Sequence, residues 1–275
     1  MSVTTKKNPI ILAAIQMVSG VDLEENINTA TRLIEEAVNQ GAKLVLLPEY
    51  WPLMGHTEFD KLTIAEHFGK GTIQNMMSRV AKQTGVWLIG GTLPLFSSEG
   101  NKVFNTTLVY NADGQCLARY DKIHLFNFSA HNESYDEFRT LVPGEKVVTF
   151  ESFLGKIGLS ICYDLRFPEL YRAMGDCSLM VVPSAFTYTT GKAHWEVLLR
   201  ARAIENQCYI LAAGQGGVHA NGRKTYGHSM LVNPWGGVES VLPEGEGVVL
   251  GNFDPNYLIQ VREMLPALRH RHISC

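Results

Sequence analysis

Three polar residues in this sequence each stand at the end of, or beside, an apolar stretch, and their side chains together could cleave an acyl bond. Glu49 follows Leu44–Val45–Leu46–Leu47–Pro48, and Cys162 follows Ile157–Gly158–Leu159–Ser160–Ile161. Lys122 stands between Arg119–Tyr120–Asp121 and Ile123–His124–Leu125. Ligand sites in open α/β sheets gather at the carboxyl ends of strands. A thiol, a carboxylate and an ammonium meeting there would attack a carbonyl, take up the thiol proton and stabilise the oxyanion. Each residue also has a plainer reading. Glu49 could be a surface acid, Lys122 a solvated amine, and Cys162 a core residue closing a buried strand.

Rival chemistries lack their residues. No His–x–x–x–His or Cys–x–x–Cys pair is present, so zinc is not expected. Gly214–Gln215–Gly216–Gly217 lacks the spacing of a dinucleotide loop and reads as a turn. His124 reads as a structural hydrogen-bonding residue and His228 as the start of a strand. Arg202 and Glu205 read as a buried ion pair.

The elements that must position the three residues follow from periodicity. Pro9 to Met17 reads as a buried strand. Asp22 is an N-cap with Glu25 three residues on, as in a capping box. Ile27, Ala30, Leu33, Ile34, Ala37 and Val38 then recur at helical spacing, and Gly41 ends the helix. Lys43 to Leu47 is a second strand, which completes the strand–helix–strand unit of parallel sheets. A helix fits Thr72 to Gln83, and strands fit Val86 to Gly90 and Val103 to Tyr110. The second half repeats this order. Strands fit Lys156 to Ile161, Ser178 to Val182, Cys208 to Ala213 and Tyr226 to Val232. Helices fit Glu169 to Met174 and Gly191 to Asn206, the latter capped by Thr190. Two similar halves predict two sheets packed face to face with helices outside. No linker separates them, so residues 1–275 form one domain. The segment from Phe126 to Pro143 fits no period and carries His131, Glu133, Asp136, Glu137 and Arg139, as a lid or site wall would. From about Pro255 the chain reads as an extended, basic tail, either solvated or in contact with another subunit.

Composition bounds the partners. The chain has 275 residues, 45% of them hydrophobic and 19% charged, which excludes disorder as its main state. Its 24 basic and 27 acidic residues leave a net charge of -3, with no run of either sign. Nucleic acid and anionic membranes are therefore not expected as partners. No apolar run approaches the roughly 20 residues of a membrane span. Five cysteines without regular spacing do not make a disulfide framework, so the cytosol is the expected compartment. Cys116, Cys177, Cys208 and Cys275 read as buried or incidental thiols.

The text around the three residues adds a resemblance. Leu46–Leu47–Pro48–Glu49, Tyr120–Asp121–Lys122–Ile123–His124–Leu125 and Ile161–Cys162–Tyr163–Asp164–Leu165–Arg166–Phe167–Pro168–Glu169 resemble the three signatures of the nitrilase superfamily of carbon–nitrogen hydrolases, in the family's order. The resemblance implies a four-layer α-β-β-α sandwich. It implies Glu49 as general base, Lys122 as oxyanion stabiliser and Cys162 as nucleophile, without metal or organic cofactor. Lys122 would favour the thiolate of Cys162 and Glu49 would disfavour it, so Glu49 has to take the proton during attack; the nearby ammonium should make Cys162 the cysteine alkylated first. A second family glutamate precedes a Pro-Gly pair. Pro143–Gly144 points to Glu137 for it, with Asp136 and Glu133 as neighbours to be weighed and a role in orienting Lys122. The backbone N–H of Tyr163 would join Lys122 at the oxyanion.

Cys162–Tyr163–Asp164 followed by Leu165–Arg166–Phe167–Pro168–Glu169 looks like the amidase branch, which includes the ω-amidases and the deaminated glutathione amidases. The ending Leu265–Pro266–Ala267–Leu268–Arg269–His270–Arg271 looks more like the latter. The implied reaction is hydrolysis of a small anionic amide to carboxylate and ammonia through a thioester. Arg166 could clamp a substrate carboxylate or pair internally with Glu169 or Asp164. The alternatives are an ω-amidase acting on 2-oxoglutaramate, a nitrile or N-carbamoyl hydrolase, and a catalytically silent interaction module. The family resemblance implies at least a homodimer.

Overall fold

The strand Ile10–Gln16 is buried on both sides, and its two faces enter different cores. Leu12 and Ala14 join a cluster with Leu44, Leu46, Leu211 and Leu231, whereas Ala13 and Ile15 join one with Leu33, Ile34, Met76 and Met77. That division explains the continuous apolar run in the sequence, since a strand covered on both faces has no polar side to show. Each buried leucine contributes roughly 1.5–3 kcal/mol of transfer free energy. The structure is a computed structural model that describes residues 8–130 and 133–273.

Among the described residues, one seven-stranded sheet runs in the order Gly247–Phe253, Ile10–Gln16, Leu44–Leu46, Trp87–Ile89, Val103–Tyr110, Leu93–Phe96, with Cys116–Asp121 also paired to Val103–Tyr110. A six-stranded sheet runs Val238–Leu242, Ser229–Val232, Tyr209–Gly214, Leu179–Ser184, Gly155–Leu159, Thr149–Ser152. The three central strands of each half are parallel, as the strand–helix–strand reading requires. Helices Leu23–Asn39 and Thr72–Thr84 cover the outer face of the first sheet. Helices Pro168–Ala173 and Tyr188–Asn206 cover the second through Leu170, Tyr171, Trp195 and Leu199. The architecture is the expected α-β-β-α sandwich.

Asp22 caps the first helix, its Oδ1 accepting from Glu25 N at 2.9 Å. The long helix begins at Tyr188 instead of Gly191, because Thr187 and not Thr190 is its N-cap. The strands Leu93–Phe96, Cys116–Asp121, Val238–Leu242 and Gly247–Phe253 were not anticipated. The segment expected to lack structure contains a hairpin of Asn127–Ala130 with Glu133–Asp136, followed by a 3-10 turn over Glu137–Arg139. His131, Cys275 and the side chain of Glu133 fall outside the described residues.

The expected extended tail from residue 255 is instead helical over Pro255–Met264. Asp254 caps it, accepting from Asn256 N at 2.8 Å, and Pro255 occupies the first position, where its missing N–H costs nothing. Leu258 and Val261 bury themselves, while Arg262 donates to the carbonyls of Gln207 and Cys177. Beyond it a 3-10 turn spans Ala267–His270, and Arg271 to Ile273 are exposed.

Candidate active site

Glu49, Lys122, Glu137 and Cys162 arrive from four separate segments and meet in one buried cluster. Lys122 is 1% exposed, and its Nζ donates to Glu49 Oε1 and to both Glu137 oxygens, each at 2.9 Å. Glu49 accepts further from Asn105 Nδ2 at 2.9 Å and from the backbone N–H of Ala185 at 2.8 Å. Glu137 accepts from Tyr50 Oη and from Phe126 N, each at 2.7 Å. A carboxylate this well supplied with donors keeps one orientation, and so does the ammonium it holds. Asp136, the alternative to Glu137, is occupied in capping the turn through Phe138 N.

The Cys162 thiol lies in the fields of Glu49 and Lys122. Burial, then the Glu49 carboxylate, pushes it well above the ordinary thiol range. Lys122 acts the other way and is outweighed. Burial is the larger part of the reason, and a count of charges adds to it: Lys122 faces two carboxylates, so a thiolate would add a second uncompensated negative charge. At an effective dielectric of 20, two such charges 4 Å apart repel by about 4 kcal/mol. Cys162 therefore rests as a thiol, whose proton has to be taken up during attack. Burial alone would lower the Lys122 pKa, but Glu137 and Glu49 overcome it and raise it far above the ordinary value. Glu137 shows the opposite balance: burial raises its pKa, yet Lys122 and then Lys61 bring it below the usual carboxylate value.

Local folding explains why the thiol points into this cluster. Cys162 has φ +48° and Tyr50 has φ +54°, both left-handed backbone at non-glycine residues. Such a conformation costs of order 1–3 kcal/mol and persists only where its surroundings impose it. For Cys162 they do. The buried Asp164 accepts from Ile161 N at 2.9 Å, Tyr120 Oη at 2.6 Å, and His124 N at 3.0 Å, with His124 Nδ1 at 2.7 Å. One carboxylate thus pins the turn Cys162–Arg166 to the segment that carries Lys122. His124 stacks on Phe167 at 3.7 Å, in its expected structural role. Arg202 pairs with Glu205 at 2.7 Å and donates twice to the Leu165 carbonyl, which supports the same turn from behind.

A small cavity opens onto the thiol. Cys162, Glu49, Tyr163, Arg166, Phe186 and Arg223 are among the residues that line it. Arg166 makes no ion pair with Glu169 or Asp164 among the described residues. Its Nη1 meets His194 Nδ1 at 3.3 Å, and its guanidinium lies over the rings of Phe186 at 5.4 Å and Tyr163 at 5.8 Å. The Tyr163 ring packs edge-on against Phe126 and Phe167.

Four further participants escaped the sequence. Asn105 and the Ala185 amide bind Glu49, and Tyr50 binds Glu137. Gln215 donates to the Glu49 carbonyl at 3.1 Å and to Ser19 Oγ at 2.8 Å. Asn105 left a trace, because Asn105–Thr106–Thr107 is a polar interruption inside a strand. The Ala185 contact is made by backbone and left none. No group of three or more His, Cys, Asp or Glu among the described residues could hold a metal ion.

Comparison with known proteins places the chain in a family. The carbon–nitrogen hydrolase family model matches residues 11–263. A deaminated glutathione amidase from Synechocystis sp. is 42% identical over 96% of this chain and 98% of its own. An omega-amidase NIT2 from Danio rerio is 38% identical over 94% of both. The crystal structure of Saccharomyces cerevisiae Nit3, a member of branch 10 of the nitrilase superfamily, superposes with a TM-score of 0.87 at 30% identity, covering 99% of this chain and all of that one. With its family model, its relatives and its fold in agreement, the chain belongs to the carbon–nitrogen hydrolases.

Proposed function

We propose that this enzyme is a cysteine amidase acting on a small anionic amide, with deaminated glutathione as its best-fitting substrate. The observation that carries the reading is the convergence of Cys162, Glu49, Lys122 and Glu137 around one ammonium. The thiol attacks the amide carbonyl while Glu49 takes its proton. The oxyanion is received by Lys122 and the backbone N–H of Tyr163. The tetrahedral adduct collapses as Glu49 returns the proton to the departing nitrogen, which leaves as ammonia from a primary amide and as an amine from a substituted one. Glu49 then deprotonates water, which hydrolyses the thioester and restores the thiol. Glu137 holds Lys122 in place throughout. A catalytically silent module would have no use for this complete set.

Two arginines at the cavity, Arg166 and Arg223, support an anionic substrate. An omega-amidase reaction on 2-oxoglutaramate is the second reading, supported by the Danio rerio relative. Four free cysteines among the described residues, and no described helix long and apolar enough to cross a membrane, support the cytosol as its compartment. Homodimerisation would cover the exposed Val197 and Ile204, which share one face of the long helix.

The test is a product screen of purified protein on deaminated glutathione, 2-oxoglutaramate, a neutral short amide, a nitrile and an N-carbamoyl compound. Release of 2-oxoglutarate from the first two, with an acyl adduct on Cys162 by mass spectrometry, is expected. Undiminished hydrolysis by Cys162→Ala would overturn the mechanism, and carbon dioxide release would move the enzyme to carbamoyl chemistry.

A further inference from the structure

Beside the catalytic cavity lies a larger one of about 490 Å³, and Arg223 lines both. The outer cavity is bordered by Tyr50, His56, Lys61, Tyr135 and Lys224 as well as Arg223. Two of its cations are already engaged: Lys61 with Glu58 at 2.9 Å and Lys224 with Glu244 at 3.9 Å. Arg223 is different, for among the described residues it forms no ion pair. Its Nη2 donates to the Ala185 carbonyl at 2.8 Å, its Nη1 reaches only Met54 Sδ at 4.0 Å, and its buried Nε has no partner. Buried donors on a guanidinium are costly to leave unmade, so a site that keeps one in reserve is suited to an oxygen anion.

The guanidinium is also held in place. It lies over the Tyr135 ring at 4.8 Å, Tyr135 packs on Phe126 at 5.8 Å, and Phe126 packs on Tyr163, the residue after the nucleophile. Its own backbone N–H donates to Asn221 Oδ1 at 2.9 Å, and Asn221 in turn donates to the Gly55 carbonyl. Arg166 lines the catalytic cavity but not the outer one. The two arginines therefore serve two ends of a substrate, one on the acyl side and one at the junction with the outer space. Ammonia needs neither that space nor a second cation.

We propose that the outer cavity is a leaving-group subsite, in which Arg223 binds a carboxylate on the amine portion of an N-substituted amide. The proposal rests on the amidase reading above and adds the residue that reads the departing half: in deaminated glutathione, Arg223 would hold the terminal carboxylate of the dipeptide that leaves. Arg223 is a specificity residue in this assignment, while the bond is still broken at Cys162.

The experiment compares three amides with one acyl group: 2-oxoglutaramate, deaminated glutathione, and deaminated glutathione with its terminal glycine carboxylate converted to a carboxamide. All three yield 2-oxoglutarate, so one assay reads them. In the wild type, kcat/KM should be at least tenfold higher for the acid than for its carboxamide. Arg223→Met should collapse that ratio towards one, and Arg223→Lys should restore part of it. Independently of any variant, cysteinylglycine should inhibit 2-oxoglutaramate hydrolysis at least tenfold better than its C-terminal carboxamide. A wild-type enzyme that ignores the terminal charge, or an Arg223→Met enzyme that loses activity on all three in equal proportion, overturns the subsite and leaves the amidase reading standing. Turnover of none of the three by the wild type overturns both.

Discussion

Tyr120 Oη donates to Asp164 Oδ2 at 2.6 Å, and both side chains are fully buried. This contact joins the strand end that leads into Lys122 to the turn that carries Cys162. The placing of Lys122 against Cys162 is therefore braced by a hydrogen bond between two other residues. Tyr120→Phe should lower stability by about 1.5–3 kcal/mol, the range for a hydrogen bond to a charged partner, measured by denaturant unfolding. It should also slow turnover roughly tenfold through loosened geometry. A variant that loses stability at unchanged kcat would separate the two functions.

The resting thiol makes a chemical prediction. Because burial and Glu49 raise the Cys162 pKa well above 9.0, the protonated form predominates at neutral pH, and the thiolate fraction grows only as pH climbs past that value. Alkylation of Cys162 by iodoacetamide should therefore be slow at pH 7 and should still be rising above pH 9. Cys116 is the exposed competitor, and peptide mapping should find it labelled first in the substrate-free enzyme. Early, pH-independent labelling of Cys162 would show a stable thiolate.

Removing members of the charged cluster should have unequal effects. Glu49→Gln deletes the proton acceptor and should reduce kcat at least ~100-fold in both acylation and thioester hydrolysis. Lys122→Met should cost a similar factor, concentrated in acylation, and should also destabilise the fold by about 3–5 kcal/mol, since two buried carboxylates lose their only shared cation. Glu137→Gln should be milder on kcat. Burst kinetics and thermal unfolding distinguish the three.

Arg166→Met should raise KM for anionic amides far more than for a neutral short amide, with a loss in kcat/KM of ~2–4 kcal/mol for the charged substrate. Equal losses on charged and neutral amides would mean that Arg166 only braces Tyr163 and Phe186, over whose rings it lies.

Glu49 and Cys162 were legible because each follows a short apolar strand, whereas Lys122 follows Cys116–Asp121, a largely exposed strand, and stood out only by the residues around it. The partners that hold them were not. Ala185 acts through its amide, and its bond to Glu49 spans 136 residues of sequence, so no local pattern records it. Arg223 sits in a loop without periodicity, and Gln215 looks like a turn residue although it ties Ser19 to the Glu49 backbone. The helix Pro255–Met264 was missed for a different reason: only two of its residues, Leu258 and Val261, are buried, too few to make a periodic stripe. Its Asp254–Pro255 start was the readable signal. Glu137 was placed by its neighbourhood to Pro143–Gly144, and its burial against Lys122 distinguishes it from Asp136.

The pairing of the first strand with the last has a consequence for biosynthesis. Ile10 lies opposite Phe253 and Gln16 opposite Gly247, so the strand made first waits for almost the whole chain before its outer edge is covered. During translation that edge, with Ile11, Leu12 and Ile15 along it, is an open template for another nascent chain. Until Gly247–Phe253 has been made the sheet keeps that edge open, so the last strand of the sheet in the chain is the one that seals the first.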